Sequence, residues 1–553
     1  MNRGARAWPL GLSSEALLLA CSVYWAAAAN FGFLAAVLGG RSAADASTWA
    51  LGAALFAALA SLHFLVAAAI TPRVLLKPVL ALLALAAALA AYYQRHYGVV
   101  LDPAMLRNVL HTDWHEAREL LALSMLPWLV ALAGPPLALL AASAPRVRPL
   151  GAALAWRAGS IVAAVGVLVA ALFVAYPSLA PLVRNRHEVR YLVTPANLLW
   201  SFAAAAHGGA RDLARPKTAI GTDARAGPRW AAATRPVVVV LVVGETARAA
   251  NWGLGGYARA TTPELARLPV INFSDVTSCG TATETALPCM FAPVGRRDYD
   301  EQRIDASESL LQVVARAGVE VRWRDNQSGC KGLCEGIAYE TVAGLDPPGL
   351  CAGGRCFDAG LLAGFAALLE RARGVNLVVL HPIGNHGPSY FRRYPRSFEH
   401  FRPACRDDDL RRCTREEIVN AYDNALRYTD HVLASLVRML QAHAATVASA
   451  LVYVSDHGES LGENRLYLHG LPYAIAPREQ LHVPMVLWTS DGFAAWNGLD
   501  RGCLERRAAK PASHDHLFHT LVGLLDVRTA LYEPGWDLAG DCRRAAPAAV
   551  AAR

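Results

Sequence analysis

Charge is scarce in this chain of 553 residues: Asp, Glu, Lys and Arg make up 18% of it, and the first third holds few of them. Residues 16–40, 46–72, 78–94, 120–145 and 158–183 contain no Asp, Glu, Lys or Arg at all. A hydrophobic fraction of 54% and a mean hydropathy of +0.26 exclude an ordinary soluble protein. Cysteine is absent from 22–278, and Cys21 is alone before that gap. No basic stripe of the kind that grips nucleic acid is present, so no nucleic-acid partner is expected.

A bilayer core needs about 20 apolar residues as helix. The charge-free stretches therefore predict five membrane spans, placed at about 16–40, 46–72, 74–94, 120–145 and 158–183. The first is too long for a signal-peptide core and four more follow, so it reads as a retained span. Basic residues set the orientation. With the N-terminus inside, Arg3, Arg6, Arg73, Lys77, Arg146, Arg148 and Arg157 are cytoplasmic. The outside loops carry Arg41 and, over 95–119, basic residues offset by Asp102, Asp113, Glu116 and Glu119. Five spans place everything after about 184 on the outer face. The expected domains are a transmembrane part over 1–183, an amphipathic connector with a flexible linker over 184–235, and an exported catalytic part over 236–553.

The exported part holds ten cysteines, mostly in close pairs. An even count outside the cell reads as disulfides: Cys279–Cys289, Cys330–Cys334, Cys351–Cys356 and Cys405–Cys413, with Cys503–Cys542 as a weaker fifth. A zinc-knuckle reading of the CxxxC and CxxxxC spacings is the alternative, and an oxidising compartment disfavours it.

From 236 the pattern changes to short β-branched runs separated by helical stretches. The runs 236–245, 319–326, 375–388, 450–459 and 483–488 predict buried parallel strands, with helices at 307–317, 358–373 and 415–443. That alternation predicts a doubly wound α/β sheet. Ligands bind such sheets beyond the carboxyl ends of the strands. Polar chemistry stands there: Glu245; Asp325 and Asn326; His381 and His386; Asp456 and His457.

Glu245, Thr283, Asp456 and His457 form a candidate metal site, three oxygen donors and one imidazole, which suits zinc. Zinc would let a threonine hydroxyl attack near neutral pH. Each residue alone is a weak signal, since a Glu after a strand is usually a surface residue. His386 in "GNHGP" and His469 in "LHG" sit beside glycines, where the backbone comes close to a ligand; they could bind a phosphate oxygen, protonate a leaving group or hold a second metal, or be loop histidines bonded to a carbonyl. His381 ends a strand and reads equally as a buttress. Lys331 could neutralise a phosphate, or be a solvated lysine.

The blocks "VVGETARAANW", "SCGTATETALPCMF", "WRDNQSGCKGLC", "HPIGNHGPSYFRRYP", "YDNALRYTD", "VSDHGESLGE" and "YLHGLPY" resemble those of the phosphoethanolamine transferases that modify lipid A, the colistin-resistance type, within the alkaline phosphatase/sulfatase superfamily. The resemblance runs through most of 236–530, and five N-terminal spans fit it. It implies a multi-pass inner-membrane enzyme with its catalytic domain in the periplasm. It implies Glu245, Asp456 and His457 as zinc ligands and Thr283, not Thr281 or Thr285, as nucleophile. His386 and His469 match the pair that handles the phosphate or a second zinc, with His381 and Lys331 nearby. "RNVLHTDWHEA" resembles the segment that approaches the lipid donor, which gives Asn108, Thr112 and Glu116; their spacing of four predicts one face of a short helix. Glu284 departs from the pattern, because a small or apolar residue is expected beside the nucleophile and a carboxylate there repels a phosphodiester.

The implied reaction moves phosphoethanolamine from phosphatidylethanolamine to lipid A through a threonine intermediate and lowers sensitivity to polymyxin. A monomer is expected. Core heptose, another glycan or water remain alternative acceptors. A sulfatase needs a CxPxR-type motif, and Cys289 is followed by "MFAPVGRR". A membrane-anchored binding protein of the same fold would lack some of the catalytic positions, and all are occupied here.

Overall fold

The computed structural model describes residues 10–544 except 113, 147, 186, 213–216 and 354. Arg3 and Arg6, used above for orientation, and Asp113 lie outside the described residues. The Cα packing divides the chain into two compact units: Met1–Leu106 with Leu121–His207, and Arg107–Leu120 with Gly208–Arg553.

The first unit is helical: α1 (Ser14–Ala28), α2 (Phe31–Leu38), α3 (Ala46–Ile70), α4 (Leu76–Tyr97), α5 (Pro103–His111, running into the second unit), α6 (Trp114–Glu119, in the second unit), α7 (Met125–Ala142), α8 (Leu150–Asn185) and α9 (Ala196–Asp212). Among the described residues, four helices are long and apolar enough to cross a membrane: Ala46–Ile70, Arg73–Tyr97, Met125–Ala142 and Leu150–Ala180. The first expected span is not one straight helix. It is α1 and α2, bent by 54° at the break, and the count reaches five if that pair is one span. Asn30 explains the break: its Nδ2 donates to the Trp25 and Thr194 carbonyls at 2.8 and 2.7 Å, and its Oδ1 accepts from Thr194 N at 3.0 Å. The side chain satisfies backbone groups that a helix end leaves open.

The second unit is built on an eight-stranded sheet: β1 (Val237–Gly244), β2 (Ile271–Thr277), β3 (Glu320–Asp325), β4 (Ala338–Thr341), β5 (Val375–His381), β6 (Ala448–Ser455), β7 (His482–Thr489) and β8 (Ala512–Ser513). Their order in space is β8-β2-β7-β6-β1-β5-β3-β4. β1 lies centrally, parallel to β5 and β6, and every residue of its VVVVLVVG run is buried. Helices on both faces explain that unbroken apolar run. The run at 483–488 forms a strand as expected but is not parallel: β7 runs antiparallel to both β2 and β6. A strand's apolar pattern reports burial and carries no direction. β2, which pairs with it, alternates buried and half-buried residues and escaped the sequence reading.

The helix expected over 415–443 runs Arg415–Ala442, with a capping box between Thr414 and Glu417. The stretch 217–235 is tied down where a flexible linker was expected. Arg225–Ala226 pairs with Val527–Arg528, and Trp230 Nε1 donates to the Leu525 carbonyl at 2.8 Å.

Candidate active site

The chemistry gathers at the carboxyl end of the central strands. Glu245 follows β1, Asp456 and His457 follow β6, His381 is the last residue of β5, and Asp325 is the last residue of β3. Parallel pairing puts these ends side by side. The loop after β5 closes over Glu245 so tightly that a Cβ at Gly384, where φ is +52°, would stand 2.7 Å from the Glu245 carbonyl oxygen.

Thr283 reaches the same point from another direction. It opens α10 (Thr283–Met290), and Cys279 and Cys289 are paired across that segment. The Thr283 hydroxyl lies 3.1 Å from Glu245 Oε2 and 3.4 Å from His457 Nε2. His514 locks the approach to α10 onto β6: its Nδ1 accepts the Cys279 N–H at 3.0 Å and its Nε2 donates to the Ser455 carbonyl at 2.9 Å. Burial pushes the His514 pKa down to about 4, so the ring stays neutral. Nothing in "ASHDH" distinguishes this histidine in the sequence.

Glu245, Asp456 and His457 are buried, and each offers a donor atom within 4.8 Å of the others. His457 Nδ1 donates to the Gly458 carbonyl at 2.9 Å, which turns the Nε2 lone pair inward. From Nε2, Glu245 Oε1 is 3.5 Å away and Asp456 Oδ2 3.4 Å. A tetrahedral zinc with ligands at about 2.0–2.1 Å has ligand-to-ligand edges of about 3.3–3.4 Å. The three spacings from His457 Nε2, 3.5 Å to Glu245, 3.4 Å to Asp456 and 3.4 Å to the Thr283 hydroxyl, are close to that edge length. Asp456 Oδ2 is buried and turned to the same point, 3.4 Å from His457 Nε2. Burial, and then the Glu245 charge, push the Asp456 pKa up to about 6. Glu245 is held below the ordinary range although burial opposes this, because His457 and His386 stand close. The residues present fit zinc.

His469 and His386 complete a cluster of imidazoles. The His469 ring lies 4.3 Å from that of His457 and 5.3 Å from that of His386. Glu459, buried and missed by the sequence reading, bonds His469 Nδ1 at 3.2 Å. Burial and the neighbouring His457 and His386 hold His469 well below the usual pKa. His381 is buried behind them with Nδ1 2.8 Å from Asp325 Oδ1, a bond that raises its pKa against the effect of burial.

Thr281 lies ahead of α10, so helical periodicity does not orient it. Its hydroxyl donates to the Leu471 carbonyl at 2.6 Å. Thr285, one turn on, packs on Gly280. Lys331 Nζ lies 3.5 Å from Glu284 Oε2, so the unexpected carboxylate is paired with a cation. Both line a cavity of about 700 Å³ with a largely apolar wall that includes Pro288, Phe291 and Ile304.

Asn108, Thr112 and Glu116 do not share one helix face. α5 ends at His111 and α6 starts at Trp114, so Thr112 sits between two helices, its hydroxyl donating to the Asn108 carbonyl at 2.7 Å. The Glu116 side chain lies outside the described residues. Glu119, three residues on, is the anchor the sequence did not reveal. It is buried between Arg393 and Arg355, the latter at 2.9 Å, and Arg393 Nε donates to the His386 carbonyl at 2.6 Å. The remaining cysteines pair as Cys330–Cys334, Cys351–Cys356, Cys405–Cys413 and Cys503–Cys542, and Cys21 is buried and unpaired.

Comparison with known proteins gives two family matches: "Phosphoethanolamine transferase EptA/EptB" over residues 59–208 and "Sulfatase" over 238–527. The chain is similar to phosphoethanolamine transferase EptA of Escherichia coli (strain K12), at 39% identity over 85% of this chain and 86% of the relative. It is similar to phosphatidylethanolamine transferase Mcr-1 of Escherichia coli, at 36% identity over 82% and 84%. A solved structure, the integral membrane protein lipooligosaccharide phosphoethanolamine transferase A (EptA) from Neisseria meningitidis, aligns with a TM-score of 0.89 at 36% identity, covering 97% of this chain and all of that one.

Proposed function

Because the chain belongs to the phosphoethanolamine transferase family, we propose that it carries phosphoethanolamine from phosphatidylethanolamine to a phosphate of lipid A in two steps through Thr283. It is an inner-membrane protein with its catalytic unit in the periplasm, where both lipids are within reach.

In the first step the Thr283 oxygen attacks the donor phosphorus, the bond from phosphorus to the glycerol oxygen breaks, and diacylglycerol leaves with a proton. In the second a lipid A phosphate oxygen attacks the phosphoethanolamine-threonine, and the threonine oxygen is released. Glu245, Asp456 and His457 would hold zinc. When bound, zinc supplies Lewis acidity that lowers the pKa of the Thr283 hydroxyl and offsets phosphate charge. His386 and His469, in the imidazole cluster beside His457, would pass the proton between the hydroxyl and the leaving oxygen. Lys331, beside Glu284 at the start of α10, would offset phosphate charge. The cavity beside Glu284 has room for the amphiphilic part of a lipid headgroup. Asn108, Thr112 and Glu116 are assigned to the donor. The added amine offsets acceptor phosphate charge and weakens the hold of polymyxin-type cationic peptides.

The observation that carries this reading is the Thr283 hydroxyl, 3.1 and 3.4 Å from two members of a buried carboxylate–imidazole triad. Mass spectrometry of lipid A from a susceptible host expressing the chain tests it. Lipid A heavier by one phosphoethanolamine is expected. Unmodified lipid A with a modified core sugar would move the acceptor, and free phosphoethanolamine alone would make the enzyme a hydrolase.

A further inference from the structure

The loop after β3 carries Gln327 and Ser328, which the scheme above does not use. Asp325 folds that loop back on the strand end, its Oδ2 accepting from both Gln327 N and Gly329 N at 3.1 Å. Ser328 N can only donate, and it lies 2.7 Å from Gln327 Oε1. The Gln327 amide therefore has one orientation, with Nε2 toward Glu245 Oε2 at 2.5 Å. Ser328 Oγ donates to the same Oε1 at 2.9 Å and accepts from Lys331 Nζ at 3.0 Å. Lys331 Nζ in turn stands 3.5 Å from Glu284 Oε2, and both side chains are largely buried.

We propose that Gln327 is a positioning residue for the Thr283 centre, the middle of a hydrogen-bond chain that runs from Lys331, held by Glu284, through Ser328 and Gln327 to Glu245. It rests on the zinc–threonine reading and deepens it. Every donor in the chain points the same way, from ammonium to carboxylate, so the links polarise one another. Glu245 Oε1 accepts from the Thr246 hydroxyl, and Oε2 accepts from Gln327 and Thr283. With both oxygens occupied the carboxylate has one rotamer. The lone pair left on Oε1 is on the oxygen 3.5 Å from His457 Nε2. Partners behind a metal ligand fix its orientation and commonly govern metal affinity. Glu284 has a place in this scheme that the sequence did not suggest: it holds the cation at the head of the chain.

The test uses the detergent-solubilised full chain and four substitutions, Gln327→Met, Gln327→Glu, Ser328→Ala and Glu284→Gln. Zinc affinity is read by competition with a chromogenic chelator, and kcat and KM on a fluorescent phosphatidylethanolamine. Gln327→Met is expected to weaken zinc binding and lower kcat by about 10–100-fold, with KM within about twofold. Gln327→Glu sets an oxygen against Glu245 and should lose more. Glu284→Gln should lower kcat by roughly threefold or more in the wild type and add nothing in the Gln327→Met background, since the chain is already cut there. Ser328→Ala removes only one hydroxyl, so it keeps the question answerable if the Gln327 variants do not fold; weakened zinc binding is expected again. Wild-type zinc affinity and kcat in Gln327→Met or Ser328→Ala overturns the proposal. So does a Glu284→Gln loss that is undiminished in the double variant. A wild-type chain that transfers without zinc removes the underlying reading instead, and the proposal with it.

Discussion

Three threonines stand within five residues at the mouth of α10, and the structure separates them. Thr283→Ala removes the hydroxyl that donates to Glu245 Oε2 at 3.1 Å. Glu245 keeps its bonds from Thr246 and Gln327, so the stability loss should be about 1 kcal/mol. Transfer should fall by at least about a thousandfold, roughly 4 kcal/mol of barrier, because no other hydroxyl takes its place. Thr281→Ala has the opposite profile. It leaves the Leu471 carbonyl without its 2.6 Å donor, which should cost about 1–3 kcal/mol of stability. The backbone bond from Gly470 N to the Thr281 carbonyl persists, so the His469 turn stays close and activity should fall by less than about tenfold. Thr285→Ala should change either quantity little. The assay pairs thermal unfolding with intact-protein mass spectrometry of enzyme given donor and no acceptor. One phosphoethanolamine should appear on wild type, Thr281→Ala and Thr285→Ala, and fragmentation should place it on Thr283. An adduct on another residue, or near wild-type transfer by Thr283→Ala, refutes the covalent reasoning.

Acid should weaken the fold through His514. Its folded-state pKa of about 4 lies below the unfolded value near 6.5, so the unfolded chain binds the extra proton; stability is intact above 6.5 and falls as pH drops toward 4, by about 3 kcal/mol in all, and His514→Gln should flatten that part of the curve of unfolding free energy against pH. Removal of zinc leaves Glu245 and Asp456 as buried like charges, so EDTA should lower the melting temperature and abolish the adduct. The drop should be larger at pH 8 than at pH 5, since protons compete with the metal for Asp456 below about 6. Glu119→Ala removes the buried carboxylate that faces the Arg393 guanidinium and should cost about 3–5 kcal/mol of stability, read by thermal unfolding, with Arg393→Met in the same background recovering part of it. Reporter fusions after Arg41, Lys77, Glu119, Arg148 and Arg184 should read out, in, out, in, out, and a cytoplasmic signal at the last of these refutes the topology.

Much of this protein is written in one-dimensional patterns. Charge-free stretches give the membrane helices, because the bilayer admits little else, and four long apolar helices with one bent pair follow from them. The unbroken apolar run at 237–243 gives a buried central strand, and the polar residues that end each run give the side of the sheet where chemistry occurs. Close cysteine pairs give their own partners, because a short loop leaves few alternatives. What the patterns could not give is anything that depends on two distant segments meeting. The direction of β7 was undetermined because burial has no sign along the chain. The break at Asn30 needs Thr194, and the role of Gln327 needs Glu245, which lies 82 positions away. Glu284 looked like a defect beside the nucleophile until Lys331 was placed against it. Glu119, Glu459 and His514 are ordinary letters in the sequence and become anchors only when burial removes water and sets each against partners from distant segments. Local composition fixes which segments are helix, strand or span, since those depend on neighbours along the chain. The tertiary structure alone decides which polar groups face one another, because desolvation and hydrogen-bond geometry are properties of contacts between segments.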